Sequence, residues 1–256
     1  MGRKSTSGEF LGSGIASGHA PACVQRLRIR ANELTAGAAA AAARRVMFII
    51  GSGRSGTHWV GWICESHPEL SVTIERPPIF ERVTEAAIYP DRVASLLPKL
   101  VRRYTAEARL CEPRLYVAES HPSVWIADEL ATALPRAKFI GVHRSVYGTV
   151  VSMLQHPGVL HRVREWQRYP VPDRFLGISP DWAEHHAALS LPARCALRWK
   201  AHENQLDALR QRLGERFLEI IYEDIFADPA SALTQSADSF SARFVRWSAD
   251  GTDGRS

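Results

Sequence analysis

Five consecutive apolar residues, Val46-Met47-Phe48-Ile49-Ile50, run straight into Gly51-Ser52-Gly53-Arg54-Ser55-Gly56, and a segment of helical character, Thr57 to Ser66, follows. An unbroken apolar run of strand length suits a parallel strand covered on both faces. The glycines supply a tight turn. Trp59, Val60, Ile63 and Cys64 then fall on one side of a helix that His67-Pro68 ends. Strand, glycine-rich loop and helix in this order form an anion cradle, because loop amides converge on the anion and the helix dipole is positive at that end. No other stretch constrains the fold as strongly.

The loop differs from that of a kinase. Gly51 and Gly56 have the G-x-x-x-x-G spacing of a Walker loop, but Thr57 and His58 follow where Lys and Ser/Thr would stand. The cation lies inside the loop, at Arg54, and Ser52, Ser55 and Thr57 add hydroxyl donors. Phosphoryl transfer from a nucleoside triphosphate must neutralise a high charge, hence its Mg²⁺. A sulfuryl group carries less charge, and fixed cations with N–H donors can serve its transfer.

Strand and helix signals alternate through the rest of the chain. Asp91–Ala108 reads as an amphipathic helix interrupted at Pro98, Leu115–Ala118 as a short strand, and Val124–Leu134 as a helix ended by Pro135. Lys138–Val142 reads as a buried strand, Val146–Leu154 as a helix, Ala193–Leu213 as a long helix and Phe217–Tyr222 as an apolar strand. Residues 156–192 hold five prolines and read as an irregular cap. The expected fold is a single α/β domain over residues 46–230, a P-loop-type parallel sheet with helices on both faces. Residues 1–45 are expected to be a disordered basic tail and residues 231–256 a short flexible segment.

Charge and cysteines exclude several functions. The net charge of the 256-residue chain is +5, which could suggest a nucleic-acid partner. Residues 1–45 hold seven Lys/Arg against two Glu, so the remainder has 25 bases and 25 acids. An anion site in that neutral body must be built by local placement, and no nucleic-acid partner is expected. No run reaches the roughly 18–20 apolar residues of a membrane helix, so no membrane span is expected. Cys23, Cys64, Cys111 and Cys195 lack metal spacing and suit a cytoplasmic protein with reduced thiols. His185-His186 are adjacent and so do not face one way on a helix; no metal is expected.

A second constellation follows Lys138–Val142. Arg144 stands at that strand's carboxyl end, where open α/β sheets bind ligands. Ser152 comes eight residues later, about two turns along a helix. The two can grip a further phosphate, the arginine bidentately.

These motifs together resemble the sulfotransferases that use 3′-phosphoadenylyl sulfate (PAPS). The resemblance rests on FIIGSGRSGTHW at residues 48–59, FIGVHRSVYGTVVSML at 139–154 and IIYEDIFADP at 220–229. It spans about residues 46–230. It implies that Arg54 stabilises charge on the leaving phosphate and that Ser52, Gly53, Ser55, Gly56, Thr57 and His58 hold the 5′-phosphosulfate. It further implies that Arg144 and Ser152 hold the 3′-phosphate, while Trp59 and Tyr222 lie near the adenine. PAPS would be the sulfuryl donor, and a hydroxyl or amine of a small molecule, glycan or protein the acceptor. For the base, His121 is the first choice and Glu75 the rival. Cytosolic members read Lys-x-His where this chain has Glu119-Ser120-His121, and other members use a glutamate from the region of Glu75. His is the easier base near neutral pH.

Two other functions remain open at this point. One is a P-loop kinase or other NTP-dependent enzyme. The other is a non-catalytic nucleotide-binding protein, suggested by the mere 27 residues, Ala230–Ser256, after the last motif.

Overall fold

The computed structural model describes residues 46–227. The readings made for residues 1–45 and 231–256, and the Asp228-Pro229 pair, lie outside the described residues.

Strand β1, Val46–Gly51, is buried along its whole length, as its unbroken apolar run requires. It is the middle strand of a five-stranded sheet with β2 (Leu70–Ile74), β3 (Leu115–Glu119), β4 (Lys138–His143) and β5 (Phe217–Ile221), in the order β2-β3-β1-β4-β5. Every neighbouring pair is parallel, and Phe48 aligns with Ala118 on one side and Phe139 on the other. The expected α/β fold is thus observed, with one strand more than the sequence suggested. LSVTI of β2 is an edge strand buried only at Leu70, so it lacks the apolar signature of its neighbours.

Alternation along β1 sorts two cores. Val46, Phe48 and Ile50 face helices α2 (Ile79–Ile88), α3 (Val93–Cys111), α4 (Ala127–Ala133) and α8 (Leu191–Leu213). Met47 and Ile49 face α1 (Thr57–Glu65) and α9 (Tyr222–Ala227), through Val60, Cys64 and Ile225. Phe48 stacks on Phe139 at 5.2 Å and meets Tyr104 edge-on at 4.9 Å. Truncating such a ring to Ala costs about 3–5 kcal/mol.

Several boundaries move. Pro98 lies inside α3, as its sixth residue, and does not interrupt it. The segment read as one helix from Val124 is a 3₁₀ turn, His121–Trp125, followed by α4. Helix α2 carried no sequence expectation. Residues 156–192 contain α6 (Pro157–Arg164) and α7 (Ala183–Ala188), so this segment, expected to be irregular, is partly helical. Tyr222 is the first residue of α9 and not the last of β5. No described helix is long and apolar enough to cross a membrane.

The topology places the site. The chain leaves β1 toward β2 and β3 on one side, and leaves β4 toward β5 on the other. The carboxyl ends of the adjacent strands β1 and β4 therefore flank the topological switch point, where such sheets bind ligands. The glycine loop follows β1. Arg144 follows β4, ahead of α5 (Val146–Leu154).

Candidate active site

The loop between β1 and α1 is tightly wound. The Ser55 amide donates to the Ser52 carbonyl at 2.9 Å. Gly56 has φ +99°, and a Cβ there would meet the Tyr222 ring at 2.2 Å, so glycine serves both backbone and packing. Arg54 also has positive φ, +82°, an unfavourable conformation for a residue with a side chain. Neighbours hold it there. The Arg54 Nε donates to Ser152 Oγ at 3.1 Å, and Arg144 donates to the Arg54 carbonyl at 3.0 Å. Arg54 thus meets Arg144 and Ser152, 90 and 98 residues further along the chain, at the switch point. Ser152 sits beside Arg54 as well as one helix along from Arg144.

Arg144 is fixed from three sides. Its guanidinium lies 4.2 Å over the Tyr222 ring, and its carbonyl accepts from Trp199 Nε1 at 2.8 Å. Gly148 leaves it room, since a Cβ there would lie 2.9 Å from Arg144 Nε. Trp59 meets Tyr222 at 6.2 Å, edge to face. Ser52, Ser55 and Thr57 are buried beneath the loop, and the hydroxyl of Ser55 and the Nε of Arg144 have no hydrogen-bond partner within the protein. Buried donors of this kind suit an incoming anion. The residues present therefore fit a phosphate-bearing donor with an aromatic base.

The two candidate bases are bonded to each other. Glu75 follows β2 with φ +41°, and its amide donates to the Glu119 carbonyl at 3.0 Å. Its Oε1 lies 2.6 Å from His121 Nδ1 and 3.3 Å from His58 Nε2. Burial works to raise the Glu75 pKa, but the bonds to His121 and His58 outweigh it and hold the carboxyl well below the usual range. An ionised Glu75 can only accept, so the neutral His121 ring carries its proton on Nδ1 and keeps a lone pair on Nε2. Burial depresses the His121 pKa, partly countered by Glu75, which keeps that lone pair free near neutral pH. The free nitrogen faces the glycine loop, where a Cβ on Gly53 would come within 2.9 Å of His121 Nε2. Phe80 and Phe175 flank the ring at 5.9 and 6.2 Å.

Two further groups escaped the sequence reading. Arg198 of α8 is buried, lies 3.0 Å from the same Gly53 Cβ position and faces the Gly53 carbonyl at 3.4 Å. Burial pulls its pKa down to about 10. Glu119 is buried at the end of β3, 3.6 Å from His58 Nε2, and burial pushes its pKa up to about 7. Arg198 looks like any helix arginine in sequence. Glu119 carried a signal as the acid standing where Lys-x-His has its lysine. His58, expected beside the phosphosulfate, turns its ring to Glu75 and Glu119 and lines the pocket shared by Arg54, Arg144 and His121.

Elsewhere, His143, Asp207 and Glu219 bring three ligating atoms within 4.8 Å. Arg210 pairs there with Asp207 at 3.7 Å and Glu219 at 3.2 Å, which already compensates the acids. Cys64, Cys111 and Cys195 are free thiols; Cys23 lies outside the described residues.

A family model described as "Sulfotransferase family" matches residues 47–241, about three quarters of the chain. Among solved structures, a sulfotransferase from Mycobacterium avium is similar at 14% identity and a TM-score of 0.50, covering 90% of this chain and 74% of that one. A sulfotransferase from Mycobacterium tuberculosis is similar at 14% identity and a TM-score of 0.50, covering 90% of this chain and 77% of that one. At this identity the likeness concerns the fold. No curated protein matches the chain.

Proposed function

Because the chain belongs to the sulfotransferase family, we propose that it moves a sulfuryl group from PAPS to a hydroxyl or amine, with His121 as the base and Glu75 as the residue that orients it. The observation that carries this reading is the pair itself. His121 Nδ1 is held by Glu75 at 2.6 Å while Nε2 is turned to the loop at Gly53. A carboxylate that fixes the tautomer of an imidazole, whose other nitrogen meets the nucleophile, is the logic of a catalytic triad. The choice between His121 and Glu75 becomes a division of labour.

PAPS supplies an activated sulfuryl group joined to the 5′-phosphate through a bridging oxygen. Ser52, Gly53, Ser55, Gly56 and Thr57 hold the phosphosulfate with loop amides and hydroxyls. Arg54, on a backbone pinned by Arg144, places its charge where the leaving phosphate gains electrons. Arg144 and Ser152 hold the 3′-phosphate, and Trp59 and Tyr222 offer aromatic faces to the adenine. Arg198, behind Gly53, adds fixed positive charge from the buried side. As the acceptor oxygen bonds to sulfur, its proton passes to His121 Nε2. The sulfur–bridging-oxygen bond breaks, its electron pair stays on the phosphate, and Glu75 stabilises the imidazolium.

Calorimetry with 3′,5′-ADP and with ATP/Mg²⁺ tests the donor. Binding of 3′,5′-ADP is expected; binding of ATP/Mg²⁺ alone would contradict the reading. His121→Ala should lower kcat about a hundredfold or more and Glu75→Gln less, with 3′,5′-ADP binding retained in both.

A further inference from the structure

Glu119 is a carboxyl where burial is costly. Its side chain is fully shielded, and neither oxygen has a well-formed hydrogen bond. The polar and charged groups facing it are Thr57 and His58 from α1 and Glu75 from the end of β2. His58 in turn faces Arg54 of the loop, Glu75 and Glu119. Its Nε2 lies between the two carboxylates, 3.3 Å from Glu75 Oε1 and 3.6 Å from Glu119 Oε2.

The charge count becomes awkward during proton transfer. Glu75 Oε1 already serves two imidazoles, His121 Nδ1 and His58 Nε2. Once His121 holds the acceptor's proton, it competes with His58 for the one oxygen Glu75 Oε1. One N–H on His58 Nε2 can, however, turn from Glu75 to Glu119. We propose that Glu119 is a positioning residue that acts through His58, drawing the His58 N–H onto itself so that Glu75 is left to the protonated His121. No proton is gained or lost in this step. The acceptor O–H breaks, its proton ends on His121 Nε2, and the His58 proton stays on His58 with a new acceptor. The catalytic half of this inference rests on the function proposed above; the linkage between His58 and Glu119 does not.

The test reads both halves on the full chain in EDTA. Without donor, the His58 ring is titrated by NMR in wild type and in Glu119→Gln. Removing a carboxylate 3.6 Å away should lower the His58 midpoint by about one pH unit. With PAPS and a simple phenol as acceptor, Glu119→Gln should lower kcat about tenfold, with the Kd for 3′,5′-ADP within about twofold of wild type. In a His58→Gln background, Glu119→Gln should cost nothing further, because the intermediary is gone. An unmoved His58 titration, or an equal loss of kcat in both backgrounds, would overturn the proposal. A shifted His58 titration in a wild-type protein that binds no 3′,5′-ADP would keep the linkage and overturn the donor reading instead.

Discussion

Replacing Gly53 with Ala adds one methyl at the point where loop and base meet. The glycine does not sit in left-handed backbone, so the turn itself tolerates the change. The added Cβ would lie 2.9 Å from His121 Nε2 and 3.0 Å from His121 Cδ2 and Arg198 NH2. Ordinary contact begins near 3.4 Å, so about half an ångström must be found. Arg198 can yield, being the end of a long side chain. His121 cannot yield freely, because Glu75 holds Nδ1 at 2.6 Å and Phe80 and Phe175 stand on either side. The ring must tip, carrying Nε2 off line with the acceptor hydroxyl. A displacement near 1 Å in a reacting group costs about a hundredfold in rate; half of that predicts a kcat about tenfold lower, or roughly 1.4 kcal/mol of transition-state stabilisation. Transfer of labelled sulfuryl from PAPS to a phenol gives kcat, and calorimetry gives the Kd for 3′,5′-ADP, expected to change less than about threefold. A Gly53→Ala protein with wild-type kcat would refute the placement of His121 as the base.

Other substitutions separate the remaining roles. Arg54→Ala should lower kcat by about 10²–10³ in the same transfer assay, the usual loss of one donor at developing negative charge. Arg144→Ala should instead weaken 3′,5′-ADP binding by about tenfold or more in calorimetry, since a charge-assisted contact contributes about 1.5–3 kcal/mol. Gly56→Ala should lower the melting temperature and the 3′,5′-ADP affinity together, because its Cβ would collide with the Tyr222 ring at 2.2 Å. Glu119→Gln should change the pH dependence of stability. The carboxyl is pushed up to about 7 from an ordinary 4.5, so its neutral form is fully accommodated below about 4.5 and stability is lost as pH rises through about 7. At about 1.4 kcal/mol per pH unit the loss is about 3 kcal/mol. Thermal unfolding should show wild type falling relative to Glu119→Gln between pH 5 and pH 9; parallel curves would remove the buried charge from the account.

How much of this was legible in the sequence follows from what each signal measures. Apolar runs report burial, so β1 and β4 were readable; β5 was readable from its apolar composition, although as an edge strand it is buried only at Phe217. β2 was not, because Ser71 and Thr73 break the apolar run of this edge strand. Glycine spacing and the alternation of elements located the loop and Arg144, since both depend on local chain order. Pairings across the sheet left no local trace. Glu75 and His121 are 46 residues apart and looked like rivals until their 2.6 Å bond joined them. Ser152 is 98 residues from Arg54, whose Nε it accepts, so its helical spacing from Arg144 described only part of its surroundings. Arg198 became notable only through burial behind Gly53.

The central claim is that the switch point between β1 and β4 holds a 3′-phosphorylated adenine nucleotide and not a triphosphate. Isothermal calorimetry with 3′,5′-ADP on the wild-type chain tests it most directly, with ATP/Mg²⁺ as the competitor. The account predicts one saturable site for 3′,5′-ADP, weakened at least about tenfold by Arg144→Ala and not displaced by ATP/Mg²⁺ at equal concentration. Saturable binding of ATP/Mg²⁺ with none of 3′,5′-ADP would contradict it.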